Sequence, residues 1–145
     1  MDYESGITEH LDVIDLCSIL TDGRRALLAS FPNARYPYVY PRDVWAAVRL
    51  FSEVALIDLP SSERVFTLLR EVAAFIAFVQ REDGHWGQRY EVSGDDKSIY
   101  RQEDNVAHGG AALATYLLTA NAPSAEKSPT GRNCWSGSCG APSMP

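Results

Sequence analysis

The sequence predicts an all-α fold with about four helices and long loops, and three observations support this prediction. First, apolar residues recur at the spacing of an α-helix in four segments of the chain. Second, the segments between them are rich in proline, glycine and polar residues, which is typical of loops. Third, a chain of 145 residues that is 46% hydrophobic is large enough to form one domain with a buried core.

The first two helices are predicted in the first half of the chain. The first covers about residues 8–20, because four residues share one apolar stripe there: Leu11, Ile14, Cys17 and Leu20. The second covers about residues 42–57, with Asp43 in its first turn, where the helix dipole favours a negative charge. Between these helices, residues 26–30 are compatible with a short strand. Residues 36–41 contain two prolines and are predicted to be extended without forming a central strand.

The third helix is predicted over about residues 63–81, after the candidate capping residues Ser61 and Ser62. It is apolar over more than half of its circumference, which predicts that it packs against neighbours on two sides. The connection that follows, residues 82–101, is long and polar, and loops of this length in a small domain often carry function.

The fourth helix is predicted over about residues 102–119. Four of its residues are expected to face inward: Val106, Leu113, Tyr116 and Leu117. The run of small residues Gly109-Gly110-Ala111-Ala112 would let another backbone come close.

Composition and charge exclude several classes of protein. The chain has 13 basic and 19 acidic residues, a net charge of −6, which argues against binding to a nucleic-acid backbone. No apolar run approaches the roughly 20 residues that span a bilayer, so no membrane association is expected. The start of the chain is acidic where a secretory signal is basic, so a cytoplasmic location is expected. No phosphate-binding glycine loop is present, and no cofactor is expected.

The cysteines and the last residues indicate no further folded unit. Three cysteines, Cys17, Cys134 and Cys139, are too few for a disulfide framework, and no metal site is expected. Residues 121–145 are rich in proline, glycine and serine and show no apolar period, so they are predicted to be a disordered tail. The folded body is therefore assigned to residues 1–120.

The first segment with chemical potential is residues 36–45, YPYVYPRDVW. Arg42 offers five fixed donors and Asp43 can accept two hydrogen bonds, so the pair is suited to vicinal hydroxyls. Tyr38 and Tyr40 could supply apolar ring faces for the C–H side of a sugar. A structural interpretation stays open, in which Asp43 caps the helix and Arg42 pairs with a neighbouring acid.

Two more segments carry polar and aromatic residues close together. In residues 80–90, QREDGHWGQRY, a turn at Asp83-Gly84 precedes Trp86, Arg89 and Tyr90. The structural interpretation is that Trp86 fills a gap between helices. In residues 101–108, the polar residues Gln102, Asp104 and Asn105 crowd the start of the fourth helix, where they either cap it or face a ligand.

Taken together and in order, these segments resemble the N-terminal part of the catalytic domain of glycoside hydrolase family 15, the glucoamylase and glucodextranase group. The resemblance covers about residues 14–118. It consists of an "ASF…YPYVYPRD" segment, a Q-x-x-D-G-x-W-x-Q-R-Y segment at residues 80–90, and a Q-x-D at Gln102 and Asp104. The Arg-Asp after a tyrosine-rich lead is the most specific element.

The resemblance implies an (α/α)6 barrel, of which the four helices would be the opening portion. It also implies a glycosidase that releases glucose from the non-reducing ends of α-glucans with inversion. Arg42 and Asp43 would bind the terminal glucose. The other residues that the resemblance assigns to substrate binding are Tyr38, Tyr40, Trp86, Arg89, Tyr100, Gln102 and Asp104. Tyr100 is included because the family has a Trp at the position of Ser98, and a nearby ring could replace it.

No catalytic residue is assigned. An inverting glycosidase needs a general acid and a general base about 6.5–9.5 Å apart. In the family, both carboxylates follow the Q-x-D helix, so the chain is expected to be a truncated fragment without them. Such a fragment is expected to expose an apolar face of the third helix and to self-associate through it.

Two other functions stay open. One is a non-catalytic carbohydrate-binding or regulatory module that keeps the sugar pocket without the chemistry. The other, more remote, is a triterpene-cyclase-like α/α protein, suggested by the single Q-x3-G-x-W match at Gln80, Gly84 and Trp86.

Overall fold

Four helices and one two-stranded sheet form the part of the chain that the computed structural model describes, residues 3–31, 36–57 and 59–122. In chain order they are α1 Tyr3–Leu16, β1 Ser18–Thr21, β2 Arg24–Leu27, α2 Pro41–Ala55, α3 Ser62–Phe78 and α4 Asp104–Ala120. The mostly helical class is confirmed. Residues 123–145 of the predicted tail, with Cys134 and Cys139, lie outside the described residues.

The end of the first helix was predicted wrongly. Helix α1 stops at Leu16, and residues predicted to continue it form β1, which pairs antiparallel with β2. Asp22 and Gly23 connect the strands with φ of 51° and 74°, the left-handed conformation of a tight hairpin turn. Leu20, predicted to lie on the apolar stripe of the helix, is therefore an exposed residue of β1.

Helices α2, α3 and α4 enclose the core. Helix α3 contacts α2, α4 and β2, so its predicted packing on two sides is confirmed. Seven of its residues are buried: Val65, Leu68, Leu69, Val72, Ala73, Phe75 and Ile76. The expectation that this helix exposes a large apolar face is wrong. Phe66 and Phe78 are the only large apolar side chains of α3 that are exposed. Leu117 and Leu118, near the end of α4, are more exposed.

The buried face of α4 is rotated from its predicted position. Asn105, Gly109, Ala112 and Thr119 are buried, whereas Leu117, predicted to face inward, is 55% exposed. Val106, Leu113 and Tyr116 are half-buried at the edges of this face. The prediction placed the large apolar residues of α4 inward. The helix instead packs through its small residues, which leave room for Trp86. None of the helices described is both long and apolar enough to cross a membrane.

Two arginines join α1, the hairpin and α3. The Arg25 guanidinium lies 2.8 Å from the Glu71 carboxylate and 2.9 Å from that of Asp15. Arg64 donates to Asp12 at 2.8 Å and to Asp15 at 2.6 Å, and the two carboxylates raise the pKa of Arg64. Asp15 is thus shared by two arginines from different elements.

Serine does not cap α3 in the predicted way. Ser61 occupies the N-cap position, but its hydroxyl makes no capping hydrogen bond and instead donates to the Glu4 carboxylate at 3.2 Å. The Ser62 hydroxyl donates to the Ile57 carbonyl. These bonds attach the start of α3 to α1 and to the loop residues that directly follow α2.

Candidate functional site

The three segments singled out in the sequence lie at one end of the helices. Val39 and Tyr90 exchange two backbone hydrogen bonds of 2.9 Å, which join the first segment to the second. The Asn105 side chain donates to the Gly87 carbonyl at 2.8 Å, which joins the second to the third. The Trp45 and His108 rings lie 5.4 Å apart, so the N-terminal halves of α2 and α4 are also neighbours. The end of the molecule defined by these contacts, with the loop of residues 79–103, is called the cleft region below.

Arg42 and Asp43 lie on the surface in the first turn of α2. Pro41 starts this helix after the extended Tyr40, because proline needs no N–H partner at the first helical position. The Arg42 Nε lies 3.8 Å from the Asp43 carboxylate, and the two side chains are 63% and 46% exposed. Among the described residues, nothing else pairs with either side chain, so both can reach a ligand.

Arg89 lies over Tyr38. The guanidinium carbon is 4.5 Å from the ring centroid, and Nε donates to the Lys97 carbonyl at 2.8 Å. Tyr40 is half-buried at the N-cap of α2. The structure thus places two predicted site residues in contact with each other, beside the strand bridge that leads to Arg42.

Trp86 is part of the core. Its side chain is 5% exposed, and Nε1 donates to the Ile76 carbonyl at 2.8 Å. A Cβ added at Gly109 would overlap the indole ring, whereas Gly110 has open space around it. A close approach was predicted for the small residues at 109–112. It occurs at Gly109, where the neighbour is the Trp86 side chain and not another backbone. Trp86 thus lies where the structural interpretation of its segment puts it, as a buried ring that fills the gap between α3 and α4.

Asn105 does not cap α4. Its side chain is 1% exposed and holds the Gly87 carbonyl, while Glu103 occupies the N-cap position without a capping hydrogen bond. The Gly87 N–H donates to the Tyr90 hydroxyl. Burial raises the pKa of Tyr90, and the hydrogen bond from Gly87 opposes that shift. Gly87 is therefore fixed at both of its peptide groups.

Asp96 holds the long loop in place, a role that the sequence analysis did not assign to it. One carboxylate oxygen accepts from Arg81, at 3.1 Å from Nε, and the other accepts from the Ser98 N–H at 2.9 Å. The Ser98 hydroxyl in turn accepts from the Gln88 N–H at 2.6 Å. Desolvation would raise the pKa of Asp96, but the hydrogen bonds from Ser98 and Arg81 outweigh it and lower that pKa. A Cβ at Gly87 would overlap the side chains of Asp96 and Ser98, so a larger residue there would displace both of them.

An open cleft of about 310 Å³ lies against this loop. Its lining consists of Arg81, Asp83, His85, Ser98, Ile99, Tyr100 and Arg101. Tyr100 is 57% exposed there. Gln102 is half-buried and lines a smaller adjoining space of about 30 Å³, together with Tyr100 and Trp86. Arg42 and Asp43 line neither space, so the structure separates the predicted site residues into two groups.

Asp104 lies beside His108 on α4. Its carboxylate is 54% exposed and lies 3.9 Å from Nδ1 of His108, too far for a hydrogen bond. That nitrogen is buried and has no hydrogen-bond partner among the described residues. Asp104 thus faces His108 one helical turn further on, and an ion pair would form only with a protonated ring.

The described residues include no cluster of three or more His, Cys, Asp or Glu that could hold a metal ion. Comparison with protein-family models, curated proteins and solved structures returned no match.

Proposed function

We propose that this chain is the saccharide-binding, N-terminal portion of a glucoamylase-type glycosidase, and that it binds the non-reducing end of an α-glucan. The observation that carries the proposal is the convergence of three motif segments at one end of the helices. They are joined there by the Val39–Tyr90 bridge and by the Asn105–Gly87 hydrogen bond. The motifs that resemble the family in sequence are thus also neighbours in space.

The exposed Arg42–Asp43 pair supplies the chemistry that this proposal needs. A carboxylate accepts hydrogen bonds from two adjacent hydroxyls, and a guanidinium donates to hydroxyl oxygens from a rigid plane. Their separation of 3.8 Å leaves the hydrogen-bonding capacity of both groups largely unused. Tyr38, under the Arg89 guanidinium, adds an aromatic face close to the strand bridge.

The fold is compatible with the proposed opening portion of an (α/α)6 barrel. Helices α2, α3 and α4 all pack against one another, and loops at one end carry the site residues. The exposed Leu117 and Leu118 on α4 give this helix an apolar surface against which a following helix could pack.

Binding of maltose to the full chain tests the proposal. Titration followed by backbone amide chemical shifts should perturb residues at the start of α2. The Asp43→Ala variant should bind at least about tenfold more weakly, because hydrogen bonds to a charged group contribute about 1.5–3 kcal/mol. Asp95→Ala is the control, since Asp95 is also exposed. Equal affinity of the Asp43 variant and the wild type would contradict the proposal.

A non-catalytic binding module is the second candidate, and the exposure of the acids around the cleft favours it. Asp83 and Glu103 line the two spaces, and their side chains are 62% and 85% exposed. A general acid works in an enclosed, water-poor site, and these two exposed carboxylates do not lie in one. Glucose release from maltose by the full chain would eliminate this candidate, whereas binding without release would support it.

A further inference from the structure

Helix α1 is attached to the rest of the molecule mainly by charged groups. Leu11 is its one buried residue among those whose side chains are described, and Ile7 and Ile14 are half-buried. Two other apolar residues, Val13 and Leu16, are exposed. The backbone of α1 approaches the other elements at few points, whereas α3 contributes seven buried residues to the core. Apolar packing therefore contributes much less to the attachment of α1 than to that of α3.

The ion pairs of α1 lie at the end of the helix that needs them. Asp15 is in the last turn and Asp12 just before it, and that turn contains no basic residue. Negative charges at this end oppose the helix dipole unless cations neutralise them. Arg64 of α3 supplies one cation, 2.8 Å from Asp12 and 2.6 Å from Asp15. Arg25 of β2 supplies the other, 2.9 Å from Asp15. Both the docking of α1 and its helical conformation thus depend on the same two arginines.

We propose that α1 opens as a unit separate from the helical core, and that ionic strength controls this opening. The side chains of Arg64, Asp12 and Asp15 are 39%, 64% and 41% exposed, so dissolved ions reach them. The screening length falls from about 10 Å at 0.1 M salt to about 3 Å at 1 M. A helix of 14 residues with Gly6 in its interior is marginal by itself, so α1 unfolds once it is released. Release uncovers the part of the core cluster that Leu11 covers, and salt thereby regulates access to an apolar surface.

Amide hydrogen exchange of the full chain in 0.1 M and in 1 M NaCl, at constant pH and temperature, tests the proposal. The amides of residues 11–16 should exchange about threefold to tenfold faster at the higher salt concentration, the factor expected from screening of partly exposed ion pairs. The amides of the buried α3 residues Val72 and Ile76 should change by less than about twofold, because their exchange requires unfolding of the core.

Arg64→Ala separates the ion pairs from the other effects of salt. In this variant the α1 amides should exchange at least about threefold faster than in the wild type at 0.1 M NaCl, and their response to salt should fall to less than about half. Slow exchange of Val72 and Ile76 in the same sample shows that the variant is folded. Arg49→Ala is the matched control, because Arg49 is an exposed arginine that pairs with Glu53 within α2. It should leave the exchange of the α1 amides unchanged.

Equal acceleration of the α1 and α3 amides by salt would overturn the proposal, because α1 would then open only when the whole core unfolds. Exchange of the α1 amides at the same rate in both salt concentrations would overturn it as well, and so would an Arg64→Ala variant that keeps the full response of the wild type. The first two results come from the wild type alone, so they decide the proposal even if the variant does not fold. Sugar binding is not involved, and the proposed function stands or falls separately.

Discussion

Two regions of the molecule use arginine in different ways. In the hairpin region, formed by α1, β1, β2 and the adjoining face of α3, Arg25 and Arg64 each bind two carboxylates. In the cleft region, Arg81 is bound to Asp96, but Arg42 faces only the carboxylate of its chain neighbour Asp43, at 3.8 Å. The side chain of Arg25 is 16% exposed, and that of Arg42 is 63% exposed.

This difference separates arginines that hold the fold from arginines that are available to a ligand. A guanidinium with two carboxylate partners joins elements that are far apart in the chain, and removal of Arg25 leaves the largely buried Glu71 carboxylate without its partner. An exposed pair of chain neighbours contributes little to stability, because water screens it. Side chains of this second kind can contact a ligand without first breaking bonds within the protein.

The largest effect on stability is expected from the ring that joins the cleft region to the core. Trp86→Ala should lower the free energy of unfolding by about 3–5 kcal/mol, because it removes a buried indole and leaves a cavity beside Gly109. Urea unfolding followed by circular dichroism measures the change. Trp86→Phe should lose only about 1–2 kcal/mol, mainly the hydrogen bond to the Ile76 carbonyl.

Tyr100→Ala is the matched control for this aromatic residue, since Tyr100 is in the same region but 57% exposed. Its free energy of unfolding should stay within about 0.5 kcal/mol of the wild type. If Trp86→Ala lowered the free energy of unfolding as little as this control does, the assignment of the indole to the core would be wrong.

The second effect compares the arginines directly. Arg25→Ala should lower the free energy of unfolding by about 3 kcal/mol, because the Glu71 carboxylate, 12% exposed, loses its partner. Arg42→Ala should change it by less than about 1 kcal/mol. Thermal or urea unfolding of both variants under the same conditions gives the comparison. Similar losses for the two variants would erase the distinction between the regions.

The helices could be predicted from the sequence, but the hairpin was predicted only in part: the possible strand at residues 26–30 overlaps β2 at Ala26 and Leu27, and β1 was missed. Helical periodicity located α2, α3 and α4 to within a few residues, because their apolar stripes are long. Residues 18–21 continued the apolar spacing of α1, and this local pattern outweighed the turn signal after it. Asp22-Gly23 is the dipeptide that favours a two-residue hairpin turn, and it was the available signal for the end of the helix.

The sequence allowed us to predict which segments form the candidate site, but not which residues contact each other within it. Arginine, aspartate and tyrosine near the start of a helix could be noticed without a structure. The roles of Asp96 and Asn105 could not, because each side chain holds a backbone group that is distant in the chain or in another element. The face of α4 was misjudged for a similar reason: its glycine at 109 was selected by the size of Trp86.

The smallest effect expected is an acid-dependent loss of stability from Asp96. Its pKa is lowered in the folded protein, because hydrogen bonds from Ser98 and Arg81 outweigh desolvation. The carboxylate therefore stabilises the fold at pH values above its unfolded pKa of about 3.9, and that contribution is lost as the pH falls through the folded pKa.

Asp96→Asn should lower the free energy of unfolding by about 1 kcal/mol at neutral pH, and the difference from wild type should shrink below about pH 4. Asp95→Asn, at the exposed neighbour, is the matched control and should change the free energy of unfolding by less than about 0.5 kcal/mol. Urea unfolding of the three proteins at neutral and acidic pH measures it, and a constant difference between Asp96→Asn and wild type would show that the charge of Asp96 does not hold the loop. The cleft region would then owe its order to the Val39–Tyr90 bridge and to the buried contacts of Trp86 and Asn105, and the comparison with the hairpin region would rest on burial instead of charge.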